Sequence, residues 1–422
     1  MDQRTLPGGC PLWLIERPGA GGILSAKLWM RGGSSADEPG QRGAAQLLAG
    51  VLSRGCGTLS GDDLADLVEG AGAGLRCEAA EDGTLLSLKC ASSDAPSLVP
   101  LLLQMAQQPW LVPDQIDLER QLNLQTLQRQ KEDPFQLAHD QLRQLLYGDG
   151  PYGHDPLGVE AELRAVTRDQ LQQLAGHYGQ SGAVFVLAGE IPPNVEELLL
   201  AGVTGAQWTC QPPPRRSGPA GHNKPAIALC NDETEQLVLM LGATTTPLGS
   251  PQALALRLLH CHLGVGMSSR LFVALREEHG LAYDVGVHFP ARLGDAPFVF
   301  HLSSSSERAG EATTELLQEW QRLLDQPISE AELELALAKF RGQEALGRQT
   351  SSQIADRHAL VLGHALPVDF AERSLAQSAQ LSPEDLLAAA RSLLATPCLS
   401  LCGPASALRQ AEAVWQRHRL SQ

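Results

Sequence analysis

The chain is short of positive charge. Across 422 residues, 32 Lys and Arg stand against 48 Asp and Glu, a net charge of −16, and the only lysines are Lys27, Lys89, Lys131, Lys224 and Lys339. Nucleic-acid binding draws most of its affinity from phosphate neutralisation, so an acidic chain without a basic block is a poor candidate for it. The same deficit argues against an anionic membrane surface. Long apolar runs are missing too. The longest, such as 237–243, are strand-sized, against the ~18 residues of a bilayer span. The first residues, Met1-Asp-Gln-Arg-Thr-Leu-Pro7, lack a basic stretch leading into an apolar one, and a soluble, cytoplasmic chain is expected. The nine cysteines are odd in number and include no C-x-x-C pair. They read as buried thiols and not as a disulfide framework.

The ordinary apolar fraction of 43% and the modest 19% of charged residues indicate folded domains. At roughly 150 residues per domain the length allows two or three. The densest proline stretch, with Pro212, Pro213 and Pro214 in a row, favours an extended spacer and falls at the midpoint. Text on either side of it recurs. Leu88 in Leu-Ser-Leu-Lys-Cys and Leu302 in Phe-His-Leu-Ser-Ser are 214 positions apart, as are Gly189 in Leu-Ala-Gly and Gly403 in Leu-Cys-Gly. Helix-start signals at Thr167-Arg-Asp-Gln170 and Ser382-Pro-Glu-Asp385 recur in similar phase. One shared offset predicts a duplicated domain: 1–208, a linker over 209–225, and 226–422.

Each half reads as two strands, helices, two strands, then several helices and a closing strand. Strands are expected at 11–16, 23–30, 75–80, 84–90 and 184–189. A helix is expected at 43–53, and Glu81-Asp82-Gly83 signals a hairpin. Further helices are expected at 96–108, 114–130 and 134–146. The second half repeats this, with strands at 226–229, 236–242, 282–289, 298–303 and 398–403. Its helices are expected at 310–324 and from Ala253, Ser269, Ser329 and Ser352. Segregated strands and long helices predict an α+β fold, two homologous domains each with a mostly antiparallel sheet packed by helices.

Most catalytic templates are absent: no P-loop, no G-x-S-x-G, no H-E-x-x-H and no H-x-x-E-H. Gly70-Ala-Gly-Ala-Gly74 follows a helix and leads into a strand, the wrong order for a dinucleotide loop, and reads as a tight turn. In His260-Cys261-His262 the two imidazoles are two residues apart and cannot share one helix face, so core packing of Cys261 is expected.

The longest specific text is Gly264-Val-Gly-Met-Ser-Ser-Arg-Leu-Phe-Val-Ala-Leu-Arg-Glu-Glu-His-Gly-Leu-Ala-Tyr-Asp-Val285. It resembles a signature of the insulinase/pitrilysin zinc metallopeptidases, in the branch with mitochondrial processing peptidase-like subunits. Gly70–Thr84, Tyr152-Gly-His-Asp-Pro-Leu-Gly158 and Val184–Ile191 support the resemblance, which spans essentially the whole chain. It implies a processing peptidase-like fold and, in the first half, a helix bearing H-x-x-E-H. There two His one turn apart bind zinc and a Glu serves as general base. With Gly43 and Gly55 as the framing glycines, those positions are Gln46, Ala49 and Gly50. The family's third ligand, a Glu on a later helix seven residues after another Glu, falls at Thr126 when Glu119 takes the earlier place. No Asp or Glu occurs from Arg120 through Lys131. The expected metal ligands and cofactor are therefore none. Gly50 inside a helix costs about 1 kcal/mol relative to Ala and suggests close approach by another backbone.

The resemblance also implies that Arg276 and Tyr283 contact substrate. An Arg fork suits a peptide carbonyl and a Tyr hydroxyl suits a developing oxyanion. The expectation is a chain that is not an enzyme on its own. It would be the non-catalytic subunit of a heteromeric zinc peptidase, paired with a zinc-bearing homologue and binding a peptide or unfolded polypeptide. The alternatives are a structural or assembly subunit and a homodimeric peptide-binding module.

Overall fold

The computed structural model describes residues 1–7, 9–178, 182–202 and 224–422. The expected linker lies outside them except for Lys224 and Pro225. Two compact units form. One comprises Met1–Leu127, Asp155–Arg216 and Ala345–Val368, as far as these are described. The other comprises Gln128–His154, Ser217–Glu344 and Asp369–Gln422.

The first unit holds β1 (Asp2–Thr5), β2 (Pro11–Glu16), β3 (Ile23–Arg31), a short ribbon of β4 (Gly55–Cys56) and β5 (Leu59–Ser60), then β6 (Gly74–Ala79), β7 (Gly83–Ala91) and β8 (Ala183–Gly189). Its main sheet runs β1-β2-β8-β3-β7-β6. Only β2 and β8 pair in parallel. The second unit holds β9 (Ala226–Asn231), β10 (Gln236–Thr244), β11 (Asp284–His288), β12 (Pro297–Ser305) and β13 (Cys398–Gly403) in the order β11-β12-β10-β13-β9. Again one pair, β13 with β9, is parallel. Read from the other end, this is the order β2-β8-β3-β7-β6. The α+β class holds, and the two sheets repeat one topology.

The central strands β3 and β8 are buried along nearly their whole length, the pattern of strands covered on both faces. On one face, Leu24, Ala26, Leu28 and Met30 join a core with the helices Ala44–Leu52 and Ala95–Gln107. On the other, Lys27 pairs with Asp356 at 2.7 Å and Trp29 packs on Gly363, both of the helix Ser351–Gly363. In the second unit Leu237, Leu239 and Leu241 face its helical core. Val238 and Met240 pack instead with Ala138, Leu142 and Leu146. These three lie one turn apart on the helix Pro134–Tyr147.

The expected cut at 209–225 therefore differs from the compact units in two places. A helix from the first half of the chain covers the second sheet, and one from the second half covers the first. Amphipathic spacing marks a helix as surface-packing but does not say which sheet it will cover. The segment from Ser269 also departs from expectation. Phe272–Glu278 is a π-helix, and the His279 amide bonds five residues back to the Ala274 carbonyl.

Candidate functional site: the helix Ala44–Leu52 and an Arg–Tyr pair

The helix Ala44–Leu52 is anchored at its start by a buried carboxylate. Asp37 Oδ2 accepts from the Gly43 amide at 2.7 Å and Oδ1 from Ala45 at 3.0 Å. Gly43 is left-handed, with φ 106°, and a Cβ there would meet the Leu157 carbonyl at 2.6 Å. The glycine is required by both conformation and space. Seven of the nine helical residues are buried, Ala49 among them. Gln46 and Gly50, one turn apart, are half-buried on the remaining stripe. The helix packs beside β6, a free edge of the sheet.

The space beside Gly50 is taken. A Cβ on Gly50 would lie 2.6 Å from Glu119 Oε2. Glu119 comes from the helix Pro113–Gln130 and its side chain is 11% exposed. Its other oxygen, Oε1, accepts from Arg54 Nε at 2.8 Å and from the Arg54 Nη2. The close neighbour of Gly50 is thus a carboxylate clamped by an arginine, and not the backbone expected from sequence. Thr126, on the same helix as Glu119, is exposed, and its hydroxyl donates to the Leu122 carbonyl at 2.9 Å.

The residues do not fit a zinc ion. Gln46 is a neutral amide, Ala49 and Gly50 bring no donor, and Thr126 is turned to its own helix. Glu119, the one carboxylate near Gly50, already neutralises Arg54. Two of the four described thiols in this unit, Cys56 and Cys77, lie near one another. Burial pushes the first up to about 11 and the second up to about 12, so both stay protonated at neutral pH and are poor metal donors. Among the described residues, no group of three His, Cys, Asp or Glu is disposed to hold a metal. Beyond the C-terminal end of the motif helix lies a half-open cavity of about 620 Å³. Ser53, Arg54, Asp62, Glu69 and Trp110 line it together with Gly74 and Leu75 of β6. Sequence reading missed Arg54, whose only signal was a cation four residues beyond a helical glycine.

In the second unit, Arg276 and Tyr283 come together. The Arg276 guanidinium lies 4.9 Å from the Phe272 ring centroid and 5.4 Å from that of Tyr283. Its Nη1 donates to the Tyr283 carbonyl at 2.8 Å. The π-turn, the left-handed Gly280 (φ 58°) and the bond from the Leu281 amide to the Leu275 carbonyl fold the chain back between them. Tyr283 is 82% exposed, with its side chain free of the core. Position 284 then opens the edge strand β11. His260-Cys261-His262 behaves as a core segment. Cys261 is buried and its thiol donates to Gln343, while burial pushes His262 down to about 4.

Residues 21–158 match the family model described as insulinase (peptidase family M16), and residues 165–340 match that described as peptidase M16 inactive domain. The chain belongs to the insulinase family. An uncharacterized zinc protease of Mycobacterium leprae is 26% identical over 84% of this chain and 80% of its own length. One of Mycobacterium tuberculosis is 28% identical over 93% and 90%. In fold, the chain matches a peptidase M16 inactive domain from Pseudomonas fluorescens with TM-score 0.86, at 23% identity over 96% of this chain and 98% of that one. A protease from Helicobacter pylori superposes with TM-score 0.83, at 18% identity over 96% and 99%. The name of the second model concerns 165–340. It does not bear on Gln46, Ala49, Gly50 or Thr126, which lie in the first unit. Among the described residues no helix is long and apolar enough to cross a membrane.

Proposed function

We propose that this insulinase-family chain is a non-catalytic subunit that pairs with a zinc-bearing homologue and helps to hold its peptide substrate. The observation that carries the reading is the Glu119–Arg54 pair packed against Gly50, where a metal-binding side chain would have to stand. Relatives over nearly the whole chain are named zinc proteases, so hydrolysis would depend on a partner that supplies the metal. The exposed Tyr283 and the Arg276 beneath it offer a phenol and a guanidinium to an extended peptide. The free edge of β6 offers unpaired backbone groups to which such a peptide can add as a strand.

The test is to co-express the chain with a homologue bearing H-x-x-E-H and to measure peptide hydrolysis by the purified complex. Arg276→Ala and Tyr283→Phe should each lower kcat/KM with assembly intact by size exclusion. Unchanged hydrolysis would remove the substrate role. One observation favours a second reading, a purely structural or assembly subunit: Arg276 already donates to the Tyr283 carbonyl. On that reading Arg276→Ala lowers thermal stability and leaves hydrolysis alone.

A further inference from the structure

Among the described residues, strand β9 is an edge of the second sheet, held laterally by β13 in parallel. Across that boundary Cys230 and Cys402 are register partners. Adjacent strands lie about 4.7–4.9 Å apart, inside the roughly 4.4–6.8 Å Cα separation that a disulfide spans. Both side chains point the same way. Along β13, Leu399 and Leu401 enter the helical core, while Cys398 and Cys402 enter the cluster formed with the helix Pro134–Tyr147. Cys230 packs against that same cluster. The neighbouring Cys230 thiol helps to hold the proton on Cys402. They differ in access, since Cys402 is fully buried and Cys230 half-buried on the edge strand.

We propose that Cys230 and Cys402 are a reversible redox pair, which a peroxide oxidises to a disulfide that staples the edge strand β9 to β13. Cys230, the accessible thiol, reacts first. Its thiolate attacks one oxygen of hydrogen peroxide, an S–O bond forms, the O–O bond breaks, and the departing hydroxide leaves as water with the thiol's proton. The Cys402 sulfur then attacks the Cys230 sulfenic acid. An S–S bond forms, the S–O bond breaks, and the second hydroxide takes the Cys402 proton as water. Two thiols and one peroxide give one disulfide and two waters. The sulfurs are oxidised and the peroxide oxygens reduced. Burial pushes Cys402 up to about 12, which disfavours it as the initial nucleophile, and its register position beside Cys230 places it to resolve the sulfenic acid as its proton passes to the departing hydroxide. The product tethers an edge strand that has one strand neighbour among the described residues.

The experiment uses the full chain carrying Cys210→Ser, which removes the cysteine nearest to Cys230 in sequence. The folded protein is treated with hydrogen peroxide, denatured, alkylated and digested without reductant, and the peptides are weighed. The expected result is one crosslinked pair containing Cys230 and Cys402, with alkylation lost at both together and restored by dithiothreitol. Hydrogen exchange over 226–231 should slow on oxidation. In a Cys402→Ser variant, Cys230 should instead be captured by dimedone as the sulfenic acid. The proposal is overturned if both thiols stay fully alkylatable under treatment that oxidises free cysteine. It is equally overturned if Cys230 goes to sulfinic acid in the parent chain, or if either residue bridges to a different cysteine.

Discussion

The helix Ala44–Leu52 in the first unit and the segment 272–284 in the second are the two places where the family resemblance leads one to expect a site, and they are packed in opposite ways. In the first, the expected positions are Gln46, Ala49 and Gly50, and the space beside Gly50 is occupied. Glu119 leans on Gly50, Arg54 neutralises Glu119, and the surrounding helix stays buried. In the second, the side chains persist at the surface, with Tyr283 exposed and Arg276 stacked on its ring. Partly buried space beside a helix has to be filled and its charges paired, because an unfilled void costs packing and an unpaired carboxylate costs desolvation. A surface pair carries no such burden and is kept or lost on its use.

The units should separate most strongly on acidification. Burial pushes His139 down to about 3, helped by Arg143, His288, Arg292 and His301 around it, and His262 down to about 4 beside Arg270. His260 and His301 are lowered as well, again chiefly by burial. All four belong to the second unit. Their unfolded value is near 6.5. Between that and their folded values the unfolded chain binds protons that the folded chain does not, so stability rises with pH. It should fall as pH drops from about 6.5 through 4. Hydrogen exchange corrected for intrinsic rate should show the second unit losing protection first. Protection lost first in the sheet of the first unit would break this contrast.

Next in size is a core change. Trp29 of β3 is clasped between two glycines: a Cβ on Gly363 would lie 2.4 Å from the indole, and so would one on Gly83. Gly363→Val should therefore cost roughly 1–3 kcal/mol by overpacking, read as a lower melting temperature in the first unit. The activity contrast comes third. In the partnered complex, Arg276→Ala should lower kcat/KM about tenfold, the loss of one charge-assisted contact, while Gln46→Ala and Thr126→Ala leave it unchanged. Equal losses at all three would mean that the first unit still touches substrate.

Much of this architecture is legible in the sequence. The 214-residue offset of Leu88 and Leu302 reflects β7 and β12, which occupy matching places in matching sheets. The Asp-Gly hairpin at Asp82-Gly83 and the caps at Thr167 and Ser382 form as their local chemistry dictates. Local rules end where a residue's partner is remote. The helix Pro134–Tyr147 carries a clear apolar stripe, but nothing in that stripe names the second sheet as its target. The π-turn at Phe272–Glu278 brings Arg276 against the rings of Phe272 and Tyr283, an arrangement absent from helical periodicity. Gly50 signalled a close approach, and its physical cause was 69 positions away in Glu119.

That cause gives the smallest effect and the sharpest test of the comparison. In an open helix interior, Gly→Ala stabilises by about 1 kcal/mol, because Ala loses less backbone entropy on folding. At Gly50 the new methyl would sit 2.6 Å from Glu119 Oε2. The carboxylate cannot simply swing away, since Arg54 holds its other oxygen. Gly50→Ala should therefore fail to stabilise the parent chain. In a Glu119→Ala background the obstruction is gone and Arg54, 37% exposed, can be solvated. There Gly50→Ala should recover the intrinsic helix gain of about 1 kcal/mol. Urea unfolding of the four proteins gives the coupling energy directly. A coupling near zero would mean that Glu119 does not obstruct a side chain at Gly50, and the contrast between a filled helix face and an exposed pair would lose its first half.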